Sequence, residues 1–158
     1  MGATTMPETK VAEQQRLEIR RVIRASRARV FAAWTQPEQM RQWFGREIDQ
    51  VESIGLDVRM GGAYHIRMAG SCGTAGDGAK SEVSGEYTEV IPNEKVQFTW
   101  RPLWNPAEES LVTVQLRDVE GGTELVLTHE RFASMESRNA HLQGWTSSMN
   151  KLERMLQS

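Results

Sequence analysis

The 158-residue chain has few of the residues on which several functional classes depend. Its single cysteine, Cys72, cannot form an internal disulfide, and its three histidines do not have the spacing of a zinc site. It also has no apolar run of the length found in signal peptides or membrane spans. We therefore expect a cytoplasmic protein that binds no metal or other cofactor and does not insert into a membrane.

The chain likewise has no excess of charge of one sign. Nineteen basic and 21 acidic side chains give a formal net charge of −2, which provides no general attraction to nucleic acid, so we expect no nucleic-acid partner. Neither a G-x-S-x-G elbow, a P-loop nor a dinucleotide fingerprint is found. No catalytic residue is assigned, although acid–base chemistry inside a pocket needs only one or two polar groups.

The chain is rich in apolar residues that recur at regular spacings. A hydrophobic content of 39% in a chain of this length is typical of one domain with a sizeable core. Residues 1–15 are polar and carry no apolar period, so they are interpreted as a flexible N-terminal tail. The remainder, 16–158, is interpreted as a single domain.

Local patterns predict a strand, two short helices, six further strands and a long helix. The alternation in RLEIRRVIRA predicts a half-buried first strand with Arg21 on its inward row. Ser26 as an N-cap, Pro37 at a helix start and Gly45 at a helix end delimit the two short helices. The six strands are expected near 48–59, 63–68, 81–90, 95–101, 111–118 and 123–132. Apolar residues at spacings of three and four predict a long C-terminal helix that opens at His141.

One face of the predicted sheet is apolar and needs a cover, and the long helix is the candidate for it. A curved sheet that grips this helix leaves part of its concave face open as an apolar pocket under the two short helices. Gly144 lies inside the helix, where glycine costs about 1 kcal/mol relative to alanine. We interpret it as leaving room for a ligand beside Trp145, the alternative being close contact with a neighbouring element.

Several stretches resemble a known family: RVIRASRARVFAAWTQPEQMRQWFG, DVRMGGAYHIRM, SGEYTEVIPNEKVQFTW, GGTELVLTHERF and HLQGWTSSMNKLERML. Their order is similar to that in the START-like SRPBCC superfamily, in the branch resembling the C-terminal domain of the heat-shock protein 90 ATPase activator. The resemblance implies an α+β helix-grip fold, in which a curved antiparallel sheet of about seven strands wraps around the C-terminal helix. Members of the superfamily bind lipids, polyketides, hormones or aromatic compounds, and a minority are enzymes. The branch also suggests a role in stress response.

The expected function is the binding of a small hydrophobic molecule, aromatic, polyketide-like or lipid-like, in a cavity between the sheet and the C-terminal helix. The candidate ligand-binding residues are Trp43, Phe44, Tyr64, Ile66, Met68, Phe98, Trp100, Val112, Val114, His129, His141, Gly144, Trp145 and Ser148. Three alternatives stay open: a cyclase- or hydrolase-like enzyme that uses the same cavity, a chaperone-associated protein-binding module, and a structural or dimerising domain. We expect a monomer or a weak homodimer. Whether a chaperone is a protein partner stays open.

Some individual residues have two interpretations. His129 lies on an inward row and is either a pocket hydrogen-bonding group or a structural histidine. Arg21 on its inward row is either part of a structural ion pair, for which Glu89 is the predicted partner, or an anchor for the ligand. His141 either faces the cavity mouth or is solvated. Of the five tryptophans, Trp43, Trp100 and Trp145 are assigned to the pocket wall, whereas Trp104 is expected to cover the rim or a partner surface.

Overall fold

A computed structural model describes residues 15–46, 50–69, 80–103, 105 and 107–157. Within them the order of elements is β1 (Arg16–Ile23), α1 (Arg27–Thr35), α2 (Pro37–Trp43), β2 (Gln50–Leu56), β3 (Ala63–Ala69), β4 (Lys80–Ile91), β5 (Lys95–Pro102), β6 (Ser110–Val119), β7 (Gly122–Glu130) and α3 (Met135–Gln157). The α+β helix-grip prediction is confirmed, including the two short helices after the first strand. Residues 1–14 of the predicted tail, Cys72 and Trp104 lie outside the described residues.

The seven strands form one antiparallel sheet in the order β1-β7-β6-β5-β4-β3-β2. The pairing shifts register in two places, between Val51 and Ser53 in β2 and between Tyr87 and Glu89 in β4. Such irregularities bend a strand and increase its twist. They therefore help β2 to β5 to curl around the concave face of the sheet.

The period-two rows predicted from the sequence are buried on that concave face. In β3, for example, Tyr64, Ile66 and Met68 are buried and alternate with exposed neighbours. The cover is α3, which buries Trp145, Met149, Leu152 and Leu156. Burying an apolar side chain of this size contributes about 1.5–3 kcal/mol, so this row on α3 accounts for a large part of the attachment of the helix to the sheet. No helix in the described part of the chain is long and apolar enough to cross a bilayer.

The predicted start of the long helix is wrong. The helix begins at Met135, and the Oγ of Ser134 accepts a hydrogen bond from the backbone N–H of Ser137 at 3.0 Å. His141 therefore lies in the second turn of the helix. The first turn has no apolar period, and its one apolar residue, Met135, is exposed, so the start of the helix is set by the capping serine rather than by a hydrophobic pattern.

The predicted pair of Arg21 and Glu89 is also wrong. Arg21 does lie between the buried residues of β1, but its Nη1 contacts α3, at 3.0 Å from Asn150 Oδ1 and 3.5 Å from a carboxylate oxygen of Glu153. Glu89 pairs with Lys95 at 2.8 Å. Three strands separate β1 from β4 in the sheet, so a side chain on one cannot reach the other.

Candidate functional site

A small cavity lies between the two short helices and strands β2 to β5. The residues around it are Trp34, Met40, Phe44, Leu56, Tyr64, Ile66, Tyr87 and Phe98. The space open to the centre of a water molecule is about 10 Å³, enough for roughly one water. No residue of α3 is in this lining, so the cavity lies beside the long helix rather than beneath it.

Aromatic rings carried by three adjacent strands form the sheet side of the cavity. The ring centroids of Tyr64 and Phe98 are 5.3 Å apart at an interplanar angle of 77°, and Tyr87 lies 5.7 Å and 5.9 Å from them. These are favourable edge-to-face and tilted arrangements. The hydroxyl of Tyr64 donates a hydrogen bond to the carbonyl oxygen of Thr99 at 2.6 Å. Burial raises the pKa of Tyr64 and of Tyr87, so both hydroxyls remain protonated at neutral pH.

Trp34 supplies the helix side of the cavity. Its side chain is buried, and its ring centroid is 4.6 Å from that of Trp43 and 5.9 Å from that of Trp145. Its Nε1–H has no hydrogen-bond partner among the residues that the structure describes. A buried donor without a partner costs about 1–3 kcal/mol. One of the residues around the cavity therefore carries a donor whose hydrogen-bonding capacity is unused.

His129 belongs to a second cluster, deeper in the core. Trp145 Nε1 donates to His129 Nδ1 at 3.0 Å, and His129 Nε2 is 2.7 Å from Ser110 Oγ. Because Nδ1 accepts, the proton of the neutral ring is on Nε2, which donates to the serine. Burial lowers the pKa of His129, and the nearby His141 lowers it further. Both ring nitrogens are thus occupied, which favours the structural interpretation of this histidine.

His141 continues the cluster toward the start of α3. Its Nε2 accepts from Trp100 Nε1 at 3.1 Å, and its Nδ1 donates to the carbonyl of Ser137 at 2.8 Å. Burial lowers the pKa of His141. Glu108 extends the cluster, because its buried carboxylate accepts from Ser137 Oγ at 2.8 Å and from the backbone N–H of Ala133 at 2.6 Å. The network ties β5, β6 and β7 to the helix.

The structure distributes the predicted ligand-binding residues over several environments. Four of them line the cavity: Phe44, Tyr64, Ile66 and Phe98. Seven others are buried without being part of its lining: Trp43, Met68, Trp100, Val112, Val114, His129 and Trp145. Ser148 binds a loop backbone, accepting from the N–H of Gly45 at 2.9 Å and donating to its carbonyl at 3.0 Å. His141 is half-buried in the network, and Gly144 is also outside the lining.

Sequence reasoning missed four of the lining residues: Trp34, Met40, Leu56 and Tyr87. Tyr87 follows Val83 and Gly85 on one period-two row, so its inward direction could have been found from the pattern. Trp34 is not among the tryptophans that the sequence analysis assigns to the pocket wall. Trp34 lies beside the cavity because of the way α1 packs on the sheet. The spacing of apolar residues along the helix does not predict that packing.

The lining limits the chemistry of the site. It contains no carboxylate, imidazole, thiol or cationic side chain among the residues described, and no three His, Cys, Asp or Glu in that part of the chain are placed to hold a metal ion. The polar groups carried by the lining residues are two tyrosine hydroxyls and one indole N–H. Such a surface suits the enclosure of an apolar body and the formation of a few neutral hydrogen bonds.

Comparisons with known proteins agree with this fold. A protein from Chromobacterium violaceum is 24% identical and has a TM-score of 0.82, over 91% of this chain and 99% of the other. An AHSA1 protein from Silicibacter pomeroyi is 28% identical with a TM-score of 0.76, over 89% and 96% of the two chains. An uncharacterised protein from Rhizobium leguminosarum is 30% identical with a TM-score of 0.72, over 90% and 93%. No protein with a curated description matches the chain.

The family comparison covers most of the chain. Residues 24–157 match the family model described as Activator of Hsp90 ATPase homolog 1-like protein. The matched range begins directly after β1 and includes all the later elements. The chain therefore belongs to the Activator of Hsp90 ATPase homolog 1-like family, a branch of the START-like SRPBCC superfamily.

Proposed function

We propose that this domain binds a small apolar molecule, aromatic, polyketide-like or lipid-like, in the cavity between the two short helices and strands β2 to β5. The observation that carries the proposal is the lining itself, in which five of the eight side chains are aromatic: Trp34, Phe44, Tyr64, Tyr87 and Phe98. Burial of apolar surface, at about 25 cal/mol per Å², is the main source of affinity in such a site.

The cavity must enlarge when such a molecule binds, because about 10 Å³ does not accommodate a ring. Met40 and Leu56 are the lining residues best suited to move. Met40 has an unbranched side chain with several rotatable bonds, and Leu56 is only partly buried, at the end of β2. The rings of Tyr64, Tyr87 and Phe98 lie on paired strands and provide a more rigid wall.

Titration with naphthalene tests the proposal, with the methyl resonance of Met40 as the reporter. We expect a saturable shift of this resonance. The methyl of Met135, which is exposed at the start of α3, serves as the control and should not shift. Leu56→Trp should abolish the shift by filling the partly open side of the cavity. An unsaturable response, or a response at Met135 without one at Met40, would contradict the proposal.

The family match favours a second candidate, a module that binds a chaperone through its outer surface. Such binding would not depend on the cavity. Purified Hsp90 should then bind Leu56→Trp as tightly as it binds the parent protein, as measured by isothermal titration calorimetry. Absence of Hsp90 binding by the parent would count against this candidate and leave the cavity proposal unaffected.

A further inference from the structure

The indole N–H of Trp34 is the feature of the cavity that packing does not explain. The side chain is 2% exposed, and its Nε1 has no hydrogen-bond partner among the described residues. Trp34 also lines the cavity. A buried polar atom without a partner is uncommon in a folded protein and often indicates an acceptor supplied by a water or a ligand.

The other tryptophans that the structure describes have no such unused donor. Trp43 Nε1 donates to the carbonyl of Ala33 at 2.9 Å, Trp100 Nε1 donates to His141 at 3.1 Å, and Trp145 Nε1 donates to His129 at 3.0 Å. The fold thus satisfies the indole donors in the core. Trp34, which borders the cavity, is the exception.

We infer that the cavity takes a ligand with a neutral oxygen acceptor, such as a ketone or an ester carbonyl, and that Trp34 Nε1–H donates to this oxygen. The inference rests on the proposed function and specifies the chemical class of the ligand. A neutral acceptor fits better than a carboxylate, because no lysine, arginine or histidine is in the lining to compensate a buried negative charge. The aromatic wall then encloses the apolar part of the molecule.

Indane and 1-indanone provide a matched pair of probes, since they share a ring frame and differ by a carbonyl in place of a methylene. We expect 1-indanone to move the ¹⁵N-indole cross-peak of Trp34 downfield, and indane to leave its proton shift nearly unchanged. The cross-peak of Trp43, whose donor already has a partner, is the internal control. In the variant Trp34→Phe, the affinity ratio of 1-indanone to indane should fall about fivefold, as expected for one buried hydrogen bond.

The possible results separate the inference from the proposed function. If both probes bind and the affinity ratio is the same in the parent and Trp34→Phe, the inference is wrong and the proposed function stands. If neither probe binds, both are wrong. A long-lived water that stays on the Trp34 N–H while 1-indanone is bound would also overturn the inference. If Trp34→Phe fails to fold, the test is the indole cross-peak of Trp34 in the parent protein. The absence of a downfield shift of this cross-peak with 1-indanone overturns the inference.

Discussion

At the scale of single residues, His129 shows how hydrogen bonding can fix a protonation state. Its Nδ1 accepts from Trp145 and its Nε2 donates to Ser110. Protonation would place a hydrogen on Nδ1, facing the indole N–H of Trp145, so the charged ring would lose a buried hydrogen bond. The sequence placed His129 on an inward row but did not identify its partners, because those come from two other elements of the fold.

We expect stability to fall when the pH drops below about 6.5, the ordinary histidine pKa in the unfolded chain. The pKa values of His129 and His141 are lowered in the folded protein, so below this pH the unfolded state binds more protons than the folded state. His129, which is fully buried, contributes up to about 1.4 kcal/mol of destabilisation per pH unit until its folded-state pKa is reached. Urea unfolding at several pH values measures the effect.

Replacement of His129 tests its contribution to this pH dependence. His129→Gln should reduce the slope between pH 5 and 7 (about the range in which histidine titrates), whatever its effect on stability at neutral pH. A slope that is unchanged in His129→Gln would show that His129 does not titrate on unfolding in this range.

Gly144 lies beside open space rather than in a tight contact. A Cβ built at this position meets nothing within 4 Å outside the backbone of its own helix. Gly144 is therefore not in close contact with a described neighbouring element, and room for a ligand beside it stays a prediction because Gly144 is not in the cavity lining. Glycine in this position gives no packing advantage that would offset its poor helix propensity.

Gly144→Ala should accordingly stabilise the protein by about 1 kcal/mol. This corresponds to a rise of about 3 °C in Tm for a domain of this size. Gly85→Ala is the contrasting variant, because a Cβ there would overlap the carbonyl oxygen of Thr99, and we expect it to cost about 3 kcal/mol. Thermal unfolding followed by circular dichroism measures both variants. A lower Tm for Gly144→Ala would show that this glycine is needed for packing.

At the scale of the elements, Arg21 links the edge strand β1 to α3 through Asn150 and Glu153. The sequence predicted that Arg21 faces inward, because strand alternation gives the direction of a side chain. It did not predict the partner, since the neighbours of a strand depend on the sheet order. The order brings β7, the last strand along the chain, beside β1 and leaves three strands between β1 and β4.

A double-mutant cycle of Arg21→Met and Glu153→Gln should give a coupling energy of about 0.5 kcal/mol, because both side chains remain partly solvated. The same cycle with Glu89→Gln in place of Glu153→Gln should give no coupling. Chemical unfolding of the single and double variants supplies the four free energies. Coupling to Glu89 without coupling to Glu153 would contradict the observed packing of β1 on the helix.

The attachment of α3 depends on its buried row, of which Leu152 is fully buried. Leu152→Asp should cost more than about 4 kcal/mol, because it removes apolar contacts and buries a charge without a partner. Gln143→Asp, at an exposed position of the same helix, is the matched control and should stay within about 0.5 kcal/mol of the parent. Circular dichroism distinguishes a folded variant from an unfolded one. A Leu152→Asp variant with the Tm of the parent would contradict this packing.

At the scale of the whole molecule, alternation and helical spacing were sufficient to predict the helix-grip architecture. Rows such as Tyr64, Ile66 and Met68 are local patterns, and a sheet with one apolar face needs a helix over it. The location of the cavity could not be predicted from these local patterns. It depends on the space left between α1, α2 and the sheet, and residues such as Trp34 and Met40 reach it only through the packing of the short helices.

This packing also indicates which part of the molecule must respond to a ligand. Helix α3 is held by a row of nearly inaccessible side chains, and β6 and β7 are paired over nine residue positions. Helix α2, in contrast, has only seven residues and no side-chain hydrogen bond at its N-cap. It carries Met40 and leads into Phe44, both of which line the cavity. Enlargement of the cavity therefore requires the least disruption if α2 moves.

We expect saturating 1-indanone to change amide hydrogen exchange most strongly in residues 37–46, because local opening of a short, weakly capped helix costs less than opening of the packed core. Exchange in β6, β7 and α3 should change little. Hydrogen–deuterium exchange with mass spectrometry measures these segments separately, and Leu56→Trp, in which the cavity is filled, should show no change in any of them. If the strongest response is in α3 instead, the ligand lies between the sheet and the long helix, and the Met40 side of the cavity is not its binding site.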